Sequence, residues 1–219
     1  MVAMSNLDTS TPSTAVCFGE RAAADPLYVS YHDMEWGRPT ASEVVVFEHI
    51  CLEGFQVGLS WRTVLHKRDA FREAFAGFDV EAVAKFTDED VARLMTNAAI
   101  IRNKAKIDAC VNAARIVRGM HENGETLVAL VDSFRPLSHE RPEPGTMPAA
   151  TAESTALAKE LRKRGFRFVG PVNVYATMQA CGVVNDHLVG CPVGDEIERG
   201  AEVDAIAEQI RPALDTLTQ

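Results

Sequence analysis

Apolar residues recur every three or four positions along most of the chain beyond Ser42, and no stretch shows the apolar/polar alternation expected of a half-buried strand. Ser42 is a favourable N-cap residue and Gly54 a favourable C-terminal one, so the apolar run between them predicts a helix. The pattern over 59–78 predicts a second, long amphipathic helix, and Asp79 predicts the start of a third. The fold class expected from this periodicity is all-α.

Further helices are predicted along the rest of the chain. Thr87 and Asp90 have the spacing of a capping box before an amphipathic stretch. A Pro-rich segment over 135–148 is the one clear irregular loop. The remaining predicted helices cover 101–120, 126–134, 152–165, 171–182 and 201–217.

Composition favours a globular protein of 219 residues with 47% hydrophobic and 24% charged residues. No apolar run approaches the roughly 18 residues that a membrane span needs, so no membrane partner is expected. Residues 1–16 lack the features of a signal peptide and are expected to form a disordered tail. Five cysteines form an odd, sparse set that argues against a disulfide framework, which favours a cytoplasmic location. We expect a monomer.

The net charge of −9 argues against nucleic acid as the obvious partner, but the charge is unevenly distributed. Residues 195–219 hold seven acidic residues and two arginines, a net charge of −5. By contrast, 100–118 holds five basic residues and one aspartate, and 159–167 holds five basic residues and one glutamate, a net charge of +4 each. These clusters are either solvated helix faces or a local face that binds DNA.

A first candidate site combines two cysteines and two histidines from opposite ends of the chain. His187 and Cys191 lie four residues apart, so a helical turn would place them on one face. Together with Cys17 and His32 they form a Cys2His2 set, which suits tetrahedral zinc. Such a site would join the two ends of the chain and leave no open coordination position for catalysis. The alternative is that His187 and Cys191 are ordinary packing residues.

A second candidate site contains Tyr31, Glu53 and the two tryptophans, Trp36 and Trp61. Glu53 follows an apolar run close to Gly54, where a carboxylate would face the negative end of the helix dipole. A placement that is unfavourable for stability indicates a functional use. The alternative is an exposed glutamate at a helix end that simply reaches water.

Four long, ordered motifs resemble the DNA-3-methyladenine glycosylase I family: YHDMEWG, CLEGFQVGLSW, GFRFVG and MQACGVVNDHLVGC. The resemblance covers residues 17–192 and implies a helix-hairpin-helix glycosylase domain, with the hairpin at about 94–106 and an acidic helical tail over 193–219. It also implies one structural zinc per chain, held by Cys17, His32, His187 and Cys191.

The same resemblance implies a DNA repair enzyme that flips 3-methyladenine out of double-stranded DNA and hydrolyses its glycosidic bond, leaving an abasic site. The base-pocket residues of the family fall on Tyr31, Glu53 and Trp61, with Trp36 beside them. Aromatic rings would attract the cationic base, and Glu53 would accept a hydrogen bond from its exocyclic amine. The resemblance places DNA-backbone contacts on the hairpin, at Ala98, Ala99, Arg102 and Lys104.

Two departures from the family pattern leave an alternative open. The usual tryptophan two residues after Cys17 is missing unless Phe18 replaces it, and Ala99 stands where the family has glycine. Alanine resists a positive φ and a close approach to phosphate. The alternative function is therefore a zinc-stabilised DNA-binding module with weak or altered excision activity. A glycosylase for another modified base is a third possibility.

Overall fold

The computed structural model describes residues 12–201, and within this range it contains helices and loops but no strands. The chain divides into two compact units. Among the described residues, the terminal unit comprises 12–37, 140–147 and 185–201, and the central unit comprises 38–139 and 148–184. The predicted all-α class is confirmed for the described range, and the predicted domain over 17–192 spans both units.

The terminal unit contains three short helices, and a further helical segment covers 192–201. The three helices are α1 (Ser13–Phe18), α2 (Glu20–Ala23) and α3 (Pro26–Met34). The side chain of Asp25 caps α3 by accepting a hydrogen bond from the Leu27 amide at 3.2 Å. Pro26 occupies the first helical position, where a missing N–H costs nothing.

The predicted disordered tail over 1–16 is wrong for residues 13–16, which belong to α1. Tertiary contacts outweigh the weak helix propensity of these residues: Thr14 is buried, and the Ser13 hydroxyl donates to Asp33 at 3.0 Å. Residues 1–11 and most of the predicted 201–217 helix lie outside the described range.

The central unit contains nine α-helices in the described range, and all nine contribute side chains to its hydrophobic core. Their bounds are α4 Glu43–Gln56, α5 Trp61–Leu65, α6 Arg68–Ala74, α7 Val80–Ala84, α8 Asp88–Thr96, α9 Lys104–Glu122, α10 Leu127–Asp132, α11 Ala152–Lys163 and α12 Pro171–Ala180. No helix in the described part of the chain is long and apolar enough to span a membrane.

The predicted caps of the central unit are confirmed. The Ser42 hydroxyl accepts a hydrogen bond from the Val45 amide at 3.4 Å, and Asp79 accepts one from the Ala82 amide at 2.7 Å. The Thr87 and Asp90 side chains make both hydrogen bonds of the capping box. Caps depend on short-range hydrogen bonds, so the sequence predicts them well.

Gly54 does not end α4, which continues to Gln56. A Cβ atom on Gly54 would lie 3.5 Å from the Cβ of Phe168, an ordinary van der Waals contact, so this position faces the loop of Phe168 without requiring a glycine. Glu53 is therefore inside the helix and not at its end. The prediction that Gly54 ends the helix is therefore wrong.

The predicted long helix over 59–78 is also wrong, because the chain breaks into α5, α6 and a 3₁₀ turn at Ala76–Phe78. The residues of this turn have positive φ values, including 57° at Phe78. The break places the ring of Phe78 parallel to that of Phe75, with centroids 5.6 Å apart, and both side chains are fully buried. Burial of the aromatic rings outweighs the continuation of the helix.

Candidate functional site

The predicted Cys2His2 set comes together in the terminal unit. α1 supplies Cys17, α3 supplies His32, and the loop before 192–201 supplies His187 and Cys191. One sulfur or ring nitrogen from each residue lies within 4.8 Å of all the others. His32, His187 and Cys191 are fully buried. Two thiols and two imidazoles in this arrangement suit a tetrahedral metal ion.

Hydrogen bonds outside the cluster fix which nitrogen of each imidazole faces it. His32 Nδ1 donates to the Asp33 carboxylate at 2.6 Å, and His187 Nε2 donates to the Trp36 carbonyl at 2.9 Å. The remaining nitrogens, His32 Nε2 and His187 Nδ1, lie 3.1 Å apart inside the cluster. Two lone pairs at this distance repel unless a proton or a cation lies between them, so the orientation favours a metal.

The two thiols of the cluster differ in acidity. The hydrogen bond from Cys17 outweighs burial and lowers the pKa of Cys191, whereas the hydrogen bond to Cys191, together with burial, raises the pKa of Cys17. A bound metal ion would favour the thiolate form of both sulfurs, because thiolates are the form that coordinates metals.

Arg141, which the sequence analysis did not single out, holds the loop that carries two of the four residues. Its guanidinium donates to the carbonyls of His187, Leu188 and Cys191 at 2.8, 2.6 and 3.0 Å. It also pairs with Asp195 at 2.5 Å and with Glu198 of the acidic segment at 3.1 Å. Only 6% of the side chain is exposed. No short motif marks Arg141, because its partners lie more than 45 residues away.

Aromatic rings surround the cluster. Trp36 packs against His187 with centroids 4.6 Å apart, and Phe18 lies 4.6 Å from Trp36 and 5.4 Å from His32. Trp36 is thus placed beside the two histidines of the cluster. Tyr31, the other aromatic residue predicted for the base pocket, is buried in α3 of the same unit.

Glu53 and Trp61 lie in the central unit, and Glu53 is the most unusual titratable group there. Only 3% of the residue is exposed, and no hydrogen bond satisfies its Oε2 atom. Burial raises the pKa of the carboxyl group to about 8. The Glu53 carbonyl accepts a hydrogen bond from the Asn173 side chain at 2.8 Å. The alternative of an exposed glutamate that reaches water is therefore wrong.

A cavity of about 310 Å³ opens beside Glu53. Its walls come from the end of α4, the loop after it and the first turns of α12: Glu53, Gln56, Val57, Gly58, Leu59, Val172, Asn173 and Ala176. A cavity of this size is within the range that small-molecule sites occupy. A mostly apolar wall with one buried acid can distinguish a cationic ligand from a neutral one, because the acid is more readily ionised beside a positive charge.

A row of buried polar side chains leads to the ring of Trp61. Arg68 donates to Glu48 at 2.8 Å and approaches His49 Nε2 at 3.5 Å, while the His49 ring stacks on Trp61 with centroids 6.2 Å apart. Burial acts to raise the pKa of Glu48, but hydrogen bonds from Arg68 and Arg72 outweigh it and lower the pKa. These buried polar residues anchor the ring of Trp61. The sequence analysis did not identify this role.

Phe168 lies close to Glu53 and has a φ of 58°, an unusual value for a bulky residue. It belongs to the GFRFVG segment and packs against Gly54 of α4. Strained backbone of this kind persists where the surrounding structure fixes it, and it is enriched at functional sites.

The predicted hairpin lies between α8 and α9. Asn97 Oδ1 accepts a hydrogen bond from the Ala99 amide at 2.9 Å, and the Lys67 ammonium donates to the Ala99 carbonyl at 2.8 Å. Ala99 is not among the described residues with positive φ, so alanine causes no backbone strain here. Arg102 and Lys104 are exposed, although Lys104 pairs with Asp108 at 2.8 Å.

Several residues of the basic clusters form hydrogen bonds or ion pairs within the protein. Lys106 is buried and donates to the carbonyls of Phe55 and Val57 at 2.9 and 2.6 Å, which ties α9 to the end of α4. Arg164 pairs with Glu125 and Glu160. The net charge of these segments therefore overstates the positive charge that a partner could meet.

Comparisons with known proteins agree on one family. A family model described as methyladenine glycosylase matches residues 21–194. The chain is 49% identical to DNA-3-methyladenine glycosylase 1 of Escherichia coli and 44% identical to DNA-3-methyladenine glycosylase of Haemophilus influenzae. Each match covers 76% of this chain and 91% of the relative.

Solved structures give the same result. The fold matches a crystal structure of 3-methyladenine DNA glycosylase I with a TM-score of 0.73 and 47% identity, over 77% of this chain and 94% of that one. It also matches the enzyme from Staphylococcus aureus, described for its recognition of 3-methyladenine, with a TM-score of 0.77 and 32% identity. That match covers 84% of this chain and 98% of the neighbour.

Proposed function

We propose, from the premise that this chain belongs to the methyladenine glycosylase family, that it is a DNA repair glycosylase that excises 3-methyladenine from alkylated DNA. The observation that carries the proposal is Glu53, whose carboxyl group is buried with an unsatisfied oxygen at a residue that lines an open cavity. An acid is costly to bury, so its position there calls for a ligand that compensates the cost.

The chemistry of the lesion explains the choice of residues. A base inside a duplex is out of reach, so the nucleotide has to be extruded at a cost of a few kcal/mol. Methylation at N3 puts positive charge on the adenine ring. A cation favours the ionised form of Glu53, which then accepts a hydrogen bond from the exocyclic amine. Trp61 offers a ring face that attracts the cation, by roughly 0.5–2 kcal/mol.

Bond cleavage then needs little further help. The electron pair of the glycosidic bond moves to the base and cancels its positive charge, while water adds to C1′ of the sugar and releases a proton. The products are free 3-methyladenine and an abasic site. We propose no covalent enzyme intermediate, so the strand stays intact. The predicted contributions of Tyr31 and Trp36 to base recognition stay predictions.

The proposal includes one structural zinc ion, held by the four residues of the cysteine-histidine cluster. Cys17, His32, His187 and Cys191 supply two sulfur and two nitrogen ligands, and the outer hydrogen bonds to Asp33 and Trp36 orient both imidazoles. Zinc in such a closed set supplies folding free energy and no step of the reaction. The alternative function, a DNA-binding module with weak excision activity, would contain the same zinc site.

Release of free bases from methylated DNA tests the proposed function. Incubation of the purified protein with methylated duplex DNA should release 3-methyladenine, identified by chromatography against a standard, and leave abasic sites in strands that break only after alkali treatment. Release of a different base would favour a glycosylase for another modified base. DNA binding without base release would favour the binding module.

The hairpin is proposed to bind the DNA backbone through residues 98–104, with Arg102 as a phosphate contact. Arg102→Ala should weaken binding to abasic-site duplex and lower the slope of log K against log salt by about 1. Arg93→Ala removes the same charge from an exposed site on the preceding helix and is the matched control. Equal effects of the two variants, or a salt-insensitive affinity, would contradict this role of the hairpin.

A further inference from the structure

Two buried cysteines of the central unit touch each other and take no part in the site described above. Cys51 lies on α4 and Cys110 on α9, 59 residues apart, and their sulfur atoms are 2.9 Å from one another. Both are free thiols, exposed by only 6% and 3%. A disulfide bond is about 2.05 Å long, so the sulfurs would need to approach by roughly 0.9 Å.

We propose that Cys51 and Cys110 form an oxidation site, at which hydrogen peroxide converts the two thiols into a reversible disulfide that links α4 to α9. Peroxide first oxidises one thiol to a sulfenic acid and is reduced to water. The other thiol then attacks the sulfenic sulfur, an S–S bond forms, and the oxygen leaves as a second water. The protein loses two hydrogens in total, and a dithiol reductant reverses the change.

The surroundings of the pair determine how fast it reacts. Burial, and then the hydrogen bond that Cys51 shares with Cys110, raise the pKa of Cys51, and thiols without thiolate character react slowly. A cavity of about 10 Å³ borders both cysteines and is walled by Lys106 and Arg167. This volume is close to the minimum for one water molecule, and hydrogen peroxide is larger, so peroxide has to enter while the surrounding side chains move apart. We therefore expect slow oxidation by peroxide and slow reversal by a small dithiol reductant.

The link should stabilise the protein without changing base excision. Cys51 and Glu53 are two residues apart on α4 and therefore lie on different faces of the helix. The cavity beside Glu53 is lined by α12 and not by α9. The shift between α4 and α9 is less than 1 Å, which is small against a cavity of about 310 Å³. A disulfide between cysteines that are 59 residues apart closes a loop in the unfolded chain and restricts its conformations. This restriction should raise the thermal midpoint of unfolding by roughly 5–10 °C.

Peptide mapping of metal-loaded protein tests the site. Peroxide treatment, alkylation of remaining thiols and trypsin digestion should give peptide 107–115, which carries Cys110, linked to the peptide that carries Cys51. The thermal midpoint of the treated protein should rise and should return to its starting value after reduction. Complete alkylation of both cysteines after long treatment would overturn the proposal, as would a link that involves a different cysteine.

Two variants separate the link from general effects of oxidation. Cys110→Ser should lose both the linked peptide and the rise in midpoint. Cys181→Ser, which removes another buried cysteine of the same unit, should keep both. Treated and untreated samples are compared within each variant, so a destabilising substitution does not obscure the result. A rise in midpoint that persists in Cys110→Ser would overturn the proposal.

Discussion

Replacement of Glu53 by glutamine is expected to slow the release of 3-methyladenine by roughly 10- to 100-fold. The substitution keeps the size of the side chain but removes its charge and turns one acceptor oxygen into a donor. A donor that faces the adenine amine would be left unpaired in a buried site, which costs about 1–3 kcal/mol. The rate should be measured by single-turnover release of the base from a duplex with one lesion.

Glu81→Gln makes the same chemical change on an exposed surface of α7 and is the matched control for activity. Trp61→Ala should also lose activity, because the cationic ring loses a stacking partner. Binding to undamaged duplex should barely change in either pocket variant. Parental rates in both Glu53→Gln and Trp61→Ala would show that the pocket lies elsewhere.

The stability of Glu53→Gln provides a separate test of burial. The pKa of Glu53 is about 8 in the folded protein, against an ordinary value of 4.5. Between these values the unfolded chain loses a proton that the native protein keeps, so the native state is destabilised as pH rises through this window. Glutamine does not ionise. Its advantage in thermal midpoint over the parent should therefore grow from about pH 4.5 to pH 8 and then level off.

Loss of Cys191, a proposed zinc ligand, is expected to have the largest effect on stability. Cys191→Ala should leave the protein with less than one zinc per chain and lower its thermal midpoint by roughly 10 °C or more, since structural zinc supplies folding free energy directly. Chelation of metal from the parent should have a similar effect. Metal analysis and thermal unfolding followed by circular dichroism measure the two quantities.

Cys181→Ala is the control for this prediction, because it also truncates a buried cysteine but lies outside the cluster. It should retain one zinc per chain. A metal-free parent that is fully folded, or undiminished zinc in Cys191→Ala, would contradict the proposed metal site.

Local sequence patterns predicted those features that depend on neighbours along the chain. Ser42, Asp79 and the Thr87 capping box start helices at the predicted places, because each cap is a hydrogen bond over three residues. The resemblance to a family singled out the four cluster residues, and the structure brings them together. The spacing of His187 and Cys191 alone left ordinary packing as an alternative.

The sequence by itself therefore determined the helical class, the helix starts after Ser42, Asp79 and Thr87, and the presence of an acid near Gly54, while the resemblance singled out the four cluster residues. Only the tertiary structure decided that α4 continues through Gly54, that Glu53 is buried with an unsatisfied oxygen and that Arg141 holds the loop of His187 and Cys191. The physical reason is range: helix periodicity and caps arise within a few residues. Burial, a raised pKa and the contact between Cys51 and Cys110 depend instead on segments that are distant in sequence.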